Sequence, residues 1–159
     1  SGGSGVPRGP GGSTGPTLAD PAPESLAPAP GLADLDRLAE QAEQAGLRVT
    51  TWLDGVHELP EALGLTVYRI VQEALTNAAK YAAPAACRIT VRAADGEVAV
   101  EVLDDGRGPG RALGGKITPG YGLIGMRERV ALFGGTLTTD RLPTGGFRVA
   151  AQLPYGAVR

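Results

Sequence analysis

Apolar residues recur along this chain with two different periods, and the switches between them mark out the elements. Leu32, Leu35, Leu38, Ala42 and Ala45 return at helical spacing and run up to Gly46, a natural C-cap. Arg48 to Leu53 reads as a strand. Pro60 then opens the longest helix, over roughly Pro60 to Ala82, which stops before Pro84 because a proline ring crowds the helical conformation of the residue preceding it. Along it Leu63, Val67, Ile70, Val71, Ala74, Leu75 and Ala78 fall on one face. The period then drops to two: Arg88 to Ala94 and Val98 to Asp104 alternate around Asp95-Gly96, a strong hairpin signal. From Gly106 to Gly120 there is no period, which predicts a loop. Residues 122–133 read as a helix with Leu123, Met126, Val130 and Phe133 on its apolar side and Gly134 as its cap. Two last strands, about 135–140 and 146–153, are joined through Pro143-Thr144-Gly145. Helix, strand, helix, two strands, helix, two strands predicts an α/β (α+β) two-layer sandwich: about five strands in a mixed, mostly antiparallel sheet with three helices on one face.

Composition narrows the setting. The chain has 159 residues, enough for one domain with a real core. It is 42% hydrophobic but only 4% aromatic, so that core is aliphatic and rich in alanine. A net charge of −2 offers no electrostatic case for nucleic acid, which needs a clustered basic surface. No apolar run reaches the length of a membrane span, so no membrane contact is expected of this segment. Cys87, the one cysteine, has no partner for an intrachain disulfide, and a cytoplasmic location is the default. Residues 1–30 are dominated by Gly, Pro, Ser and Ala and cannot bury enough surface to offset the cost of ordering, which predicts a flexible linker to something upstream. The expected organisation is therefore linker 1–30, folded domain 31–154 and tail 155–159, with Ser1-Gly2-Gly3 set aside as an expression remnant.

Three local patterns carry candidate chemistry. On the long helix, Asn77 lies about 40° round from Glu73 and Lys80 about 20° back, since each residue adds about 100°. The three form a narrow polar line beside the apolar stripe, where a helix would wall a pocket at the edge of a core. A carboxamide oxygen and a nearby carboxylate suit a magnesium ion that keeps waters, and Lys80 suits phosphate charge. The second pattern is Asp104-Asp105-Gly106-Arg107-Gly108-Pro109-Gly110, an acidic strand end running into glycines that let backbone approach a ligand. A carboxylate at such a corner can accept from an exocyclic amine and so select adenine. The third is Gly120-Tyr121-Gly122-Leu123 at a helix start, where free amides and the helix dipole favour an anion; Arg127 and Arg129, further along that helix, are candidates to reach phosphate or a partner. Each pattern also has a plain structural reading: a solvated polar face, a tight turn, a common Gly-x-Gly. Their order along the chain is what joins them into a magnesium-nucleotide site.

The stretch from Val67 to Lys80 (VYRIVQEALTNAAK) resembles the N box of sensor histidine kinases. Asp104 to Gly108 resembles their first glycine box, Gly120 to Arg129 the second, and Gly145-Gly146-Phe147 their last glycine-containing strand. The resemblance covers residues 31–154, and the Gly-Met-Arg-Glu-Arg run of residues 125–129 is similar to the nitrate-sensor and desaturase-thermosensor branch. It implies the Bergerat ATP-binding fold, with ATP and Mg2+ as ligands. By it, Glu73 would orient water or polarise the reacting centre and Asn77 would ligate Mg2+. Asp104 would bind the adenine amino group, Gly106 and Gly108 would shape a lid hinge, and Lys80 with the amides of Gly120, Tyr121, Gly122 and Leu123 would meet phosphates. The sequence departs from the family at Tyr81, where a histidine usually follows the N-box lysine. Kinases of this branch carry the phosphoacceptor histidine in a separate dimerisation domain, and the single histidine here, His57, stands just before a helix. The implied protein is the catalytic domain of a two-component kinase lacking its acceptor, with that dimerisation domain and a downstream response regulator as partners, the parent being free to carry a membrane anchor elsewhere. An anti-sigma-factor-type serine kinase and a non-catalytic nucleotide-gated module of the same fold are the alternatives.

Overall fold

The computed structural model describes residues 29–106 and 121–156. Three helices and five strands follow the order of the periods above. Helix α1 spans Leu35–Gln44 and buries Leu35, Leu38 and Ala42, the three positions that return to one face. Just before it, the Asp34 side chain accepts a hydrogen bond from the Gly31 amide at 2.9 Å, closing the entry turn. Strand β1 (Leu47–Asp54) leads to helix α2 (Glu61–Tyr81), whose buried face is Leu63, Val67, Ile70, Val71, Ala74, Leu75 and Ala78, as the stripe predicted. Thr66 and Thr76 sit mid-helix because their hydroxyls donate to the carbonyls of Ala62 and Gln72, one turn back.

Strands β2 (Ala85–Ala94) and β3 (Glu97–Asp104) form the hairpin. Its turn residues Asp95 and Gly96 have φ of +57° and +77°, the double positive that a two-residue hairpin loop needs. Strand β2 begins three residues before the alternating run suggested, because Ala85, Ala86 and Cys87 pair in parallel with Leu47, Arg48 and Val49. Helix α3 (Tyr121–Leu132) and strands β4 (Thr136–Arg141) and β5 (Phe147–Pro154) complete the fold. The five strands run in the order β1-β2-β3-β5-β4. Only β1 and β2 are parallel, with α2 as their crossover; the other pairings are antiparallel.

One sheet face and the inner faces of the three helices form a single core. Val98, Val100, Val102 and Asp104 alternate inward on β3, and Val149, Ala151 and Leu153 do so beside them on β5. The other face of the sheet is polar. There Arg148 donates to Glu101 at 2.6 Å and to Asp140 at 3.2 Å, tying β3, β5 and β4 together. The hydrogen bond to Glu101, with both acidic charges nearby, holds the Arg148 guanidinium charged beyond its already high ordinary value.

A candidate nucleotide site between two helices and a strand end

Glu73 lies two-thirds of the way along α2, partly buried. Its carboxyl group lies against Gly122 in the first turn of α3, so close that a Cβ on Gly122 would overlap the carboxyl carbon and both oxygens. The N-box-like helix and the Gly-x-Gly helix start, some fifty residues apart in sequence, are thus in direct contact. Asn77, one turn further along α2, is 9% exposed, and Leu123 behind Gly122 is 2% exposed. A carboxamide is seldom that buried unless it is engaged.

Asp104 closes β3 with its side chain on the helix-covered face, 7% exposed. Its cross-strand neighbours are Cys87 on β2 and Phe147 on β5. A cysteine, an aspartate and an aromatic ring therefore form one row across the end of the sheet. Asp105 does different work. Its side chain accepts from the Ala86 amide at 3.2 Å while its own amide donates to the Ala86 carbonyl at 3.1 Å, fastening the end of β3 to β2. The two adjacent carboxyl groups thus have different surroundings, Asp104 on the helix-covered face and Asp105 on the backbone of β2.

Gly106 follows with φ of +63°, and a Cβ there would collide with the Gly145 carbonyl and the Gly146 Cα. The first glycine box and the Gly145-Gly146 turn that leads into β5 are thereby packed backbone to backbone. A side chain at Gly106 would be refused twice, by conformation and by space.

The remaining candidates are less closely gathered. Lys80 is exposed and borders a groove of about 360 Å³ between α1 and α2, with Leu38, Gln41, Gln72, Thr76 and Ala79. Glu73 meets α3 instead, so these two members of the polar line border different neighbours of the helix. Tyr81 is the last residue of α2 and is partly buried. Tyr121 begins α3. Gly108 and Gly120 lie outside the described residues, as do Arg107 and the loop expected between them. Arg127, offered above for phosphate, donates instead from its Nε to the Leu137 carbonyl at 3.3 Å and so anchors α3 to β4. His57 is exposed in the short turn Val56–Glu58.

Cys87 and Phe147 were missed as site neighbours. Nothing local marks them; only the strand order puts them beside Asp104, and Gly145-Gly146 ahead of Phe147 was the one available hint.

The fold is a two-layer α/β sandwich in which the central helix meets the start of α3 and strand β3 ends on a buried aspartate. Comparison with known proteins gives its class. Residues 63–157 match the family of histidine kinase-, DNA gyrase B- and HSP90-like ATPases, and the chain belongs to it. Among curated relatives, the sensor histidine kinase YxjM of Bacillus subtilis is 34% identical over 127 residues, which are 78% of this chain and 30% of that protein. The oxygen sensor histidine kinase NreB of Staphylococcus carnosus is 40% identical over 88 residues, 55% of this chain and 25% of that one. This chain thus spans less than a third of the curated relatives it matches. Among solved structures, a blue-light activated histidine kinase of Erythrobacter litoralis superposes with a TM-score of 0.61 at 26% identity, over 77% of this chain and 41% of that one. The catalytic domain of histidine kinase ThkA shares the fold, with a TM-score of 0.53 at 15% identity over 76% of this chain and 93% of that one. The sequence resemblance to the ATPase domain of sensor histidine kinases is met, and so is the mixed five-stranded sandwich.

Proposed function

We propose that this chain binds Mg-ATP and supplies the γ-phosphate for phosphorylation of a histidine on a separate dimerisation domain, as the catalytic domain, residues 31–154, of a two-component kinase. The observation that carries this reading is the contact between the Glu73 carboxyl and Gly122, because it joins the N-box-like helix to the helix start whose neighbouring amides favour an anion. Buried Asp104 supports it as the group that would accept from the adenine amine. That curated relatives are named sensor histidine kinases favours it over a serine kinase of the same fold.

The donor set fits a magnesium ion carried in by the nucleotide. Asn77 offers a buried carboxamide oxygen and Glu73 an acid one turn away. Among the described residues, no three His, Cys, Asp or Glu side chains cluster into a metal cage. A hard ion that keeps waters and phosphate oxygens as most of its ligands needs no such cage. Bound there, it would neutralise charge on the phosphates during transfer. The chain's own part is to select the base with Asp104, to hold the ion's near side with Asn77, and to place Glu73 where it orients water or polarises the acceptor. Lys80, Tyr81 and the amides of Gly120, Tyr121, Gly122 and Leu123 would meet the phosphates, with Gly106 and Gly108 forming the lid hinge. In the transfer, a bond forms from imidazole nitrogen to the γ-phosphorus, the bond to the bridging β-oxygen breaks, and ADP leaves. A response regulator would then take the phosphoryl group from that histidine.

No helix among the described residues is long and apolar enough to cross a membrane. We place the domain in the cytoplasm, where ATP is available.

The test is to incubate the chain with radiolabelled Mg-ATP, alone and with the acceptor domain of its parent kinase. Acid-labile label is expected on the acceptor domain only, and at a reduced rate with Glu73→Ala. Label on His57 of the isolated chain, or none on the acceptor domain, would sink this reading.

A further inference from the structure

Strand β1 forms one edge of the sheet. It pairs with β2 from Leu47↔Ala85 to Asp54↔Arg92, and among the described residues no strand pairs with its outer side. An edge strand presents a row of amides and carbonyls to any chain that can lie beside it, and proteins usually blunt such an edge by shortness, proline or a bulge. The opposite edge, β4, has six residues and exposes no large apolar side chain. Strand β1 has eight, none of them proline, paired without a break along its inner side. It exposes Trp52 at 64% and Leu53 at 44%, on opposite faces of the sheet.

The side chains of β1 are also complementary to themselves. A second copy can pair antiparallel with this edge about a two-fold axis normal to the sheet, which keeps outer face beside outer face. Opposed residues must then share a face, so the permitted registers differ by steps of two. In the register that sets Thr51 opposite Thr51, Arg48 lies opposite Asp54 of the second copy, and the symmetry repeats the pair at the other end. Thr50 then lies opposite Trp52, and Val49 opposite Leu53, each twice. Both exposed apolar residues of the strand gain a cross-strand neighbour, and both charge types meet their opposites. In the next register one way, Arg48 faces Trp52 and Asp54 has no opposite within the strand. In the next the other way, Asp54 faces Thr50 and Arg48 has none. Asp54 already lies 3.9 Å from Arg92 on its own sheet, so it would sit between two cations.

We infer that β1 is a self-association edge, on which a second copy of this chain adds its own β1 in the Thr51-centred register to make one continuous ten-stranded sheet.

Sedimentation of the 159-residue chain over a wide concentration range tests this, with the fluorescence of Trp52, its only tryptophan, as a second readout. A monomer–dimer equilibrium is expected, with Trp52 emission shifting to the blue as dimer forms. Arg48→Glu and Asp54→Lys should each weaken dimerisation by about tenfold or more, because each sets like charges opposite at both ends of the pairing. Mixed together, the two variants should associate about as tightly as the parent. In that heterodimer one end keeps Arg48 with Asp54 and the other has the same pair with its charges exchanged. Circular dichroism checks that both fold, and Thr51→Arg, which sets like charges against each other on the axis, should abolish the dimer independently. A chain that stays monomeric at every concentration would overturn the inference. So would a dimer that these substitutions leave intact, or a mixture that associates no better than its components.

Discussion

The carboxyl group of Glu73 fills the space that a side chain on Gly122 would need. Two segments that look like separate motifs are therefore one contact. Gly122 is required less for backbone freedom than because Glu73 already occupies the volume of its missing Cβ. Gly122→Ala should raise the intrinsic helix propensity of α3 by about 1 kcal/mol, and the overlap is with the flexible end of Glu73, which must leave its place to make room. The fold should hold while the carboxyl group is displaced. Calorimetry is expected to show ATP affinity lowered at least about tenfold while circular dichroism stays native. Unchanged affinity would mean the contact is incidental to binding.

Asp104→Asn keeps the shape of the strand end but turns part of an acceptor into a donor. If Asp104 accepts from the adenine amine, removing that charged hydrogen bond costs about 1.5–3 kcal/mol, or roughly ten- to a hundredfold in ATP affinity. Titration calorimetry with ATP and GTP measures it; discrimination between the two bases should shrink together with affinity.

For Asn77 the distinguishing measurement is metal dependence. Asn77→Ala should weaken ATP binding in the presence of Mg2+ far more than binding in EDTA. Equal losses under both conditions would make this buried carboxamide a structural group rather than an ion ligand.

Gly106→Ala meets both a φ of +63° and a collision with the Gly145 carbonyl. Strain of this kind costs about 1–3 kcal/mol, and the β3 end must separate from the turn before β5. Thermal unfolding should show the loss even without nucleotide, in contrast to Asn77→Ala, whose main effect should need ligand.

On the far side of the sheet, Arg148→Ala breaks the bonds to Glu101 and Asp140, but these groups are a third or more exposed. Such pairs contribute about 0.2–1 kcal/mol. A small drop in melting temperature with unchanged ATP affinity is expected. A large change in affinity would mean that the polar face communicates with the site.

The helices and most strands were legible because their signals are local. The stripe from Leu63 to Ala78 has a period of its own whatever the rest of the chain does, and Asp95-Gly96 names its hairpin by backbone preference alone. Where β2 begins was not legible. Ala85 and Ala86 carry too little hydrophobic contrast to show alternation, and only pairing with Leu47 and Arg48 makes them strand.

The candidate site divides in the same way. The sequence by itself determined the acids, the carboxamide and the glycines, their order along the chain and which face of α2 each occupies, since helix geometry converts spacing into direction. Tertiary structure decided which of them meet. Strand order set Cys87 and Phe147 beside Asp104, packing of α3 on α2 brought Gly122 to Glu73, and β4 claimed Arg127 through the Leu137 carbonyl. Lys80, in line with Glu73 on a helical wheel, borders the groove beside α1, whereas Glu73 meets α3. Spacing along a chain fixes angles around a single helix axis. Distances between elements depend on how their apolar faces pack, and no local pattern encodes that.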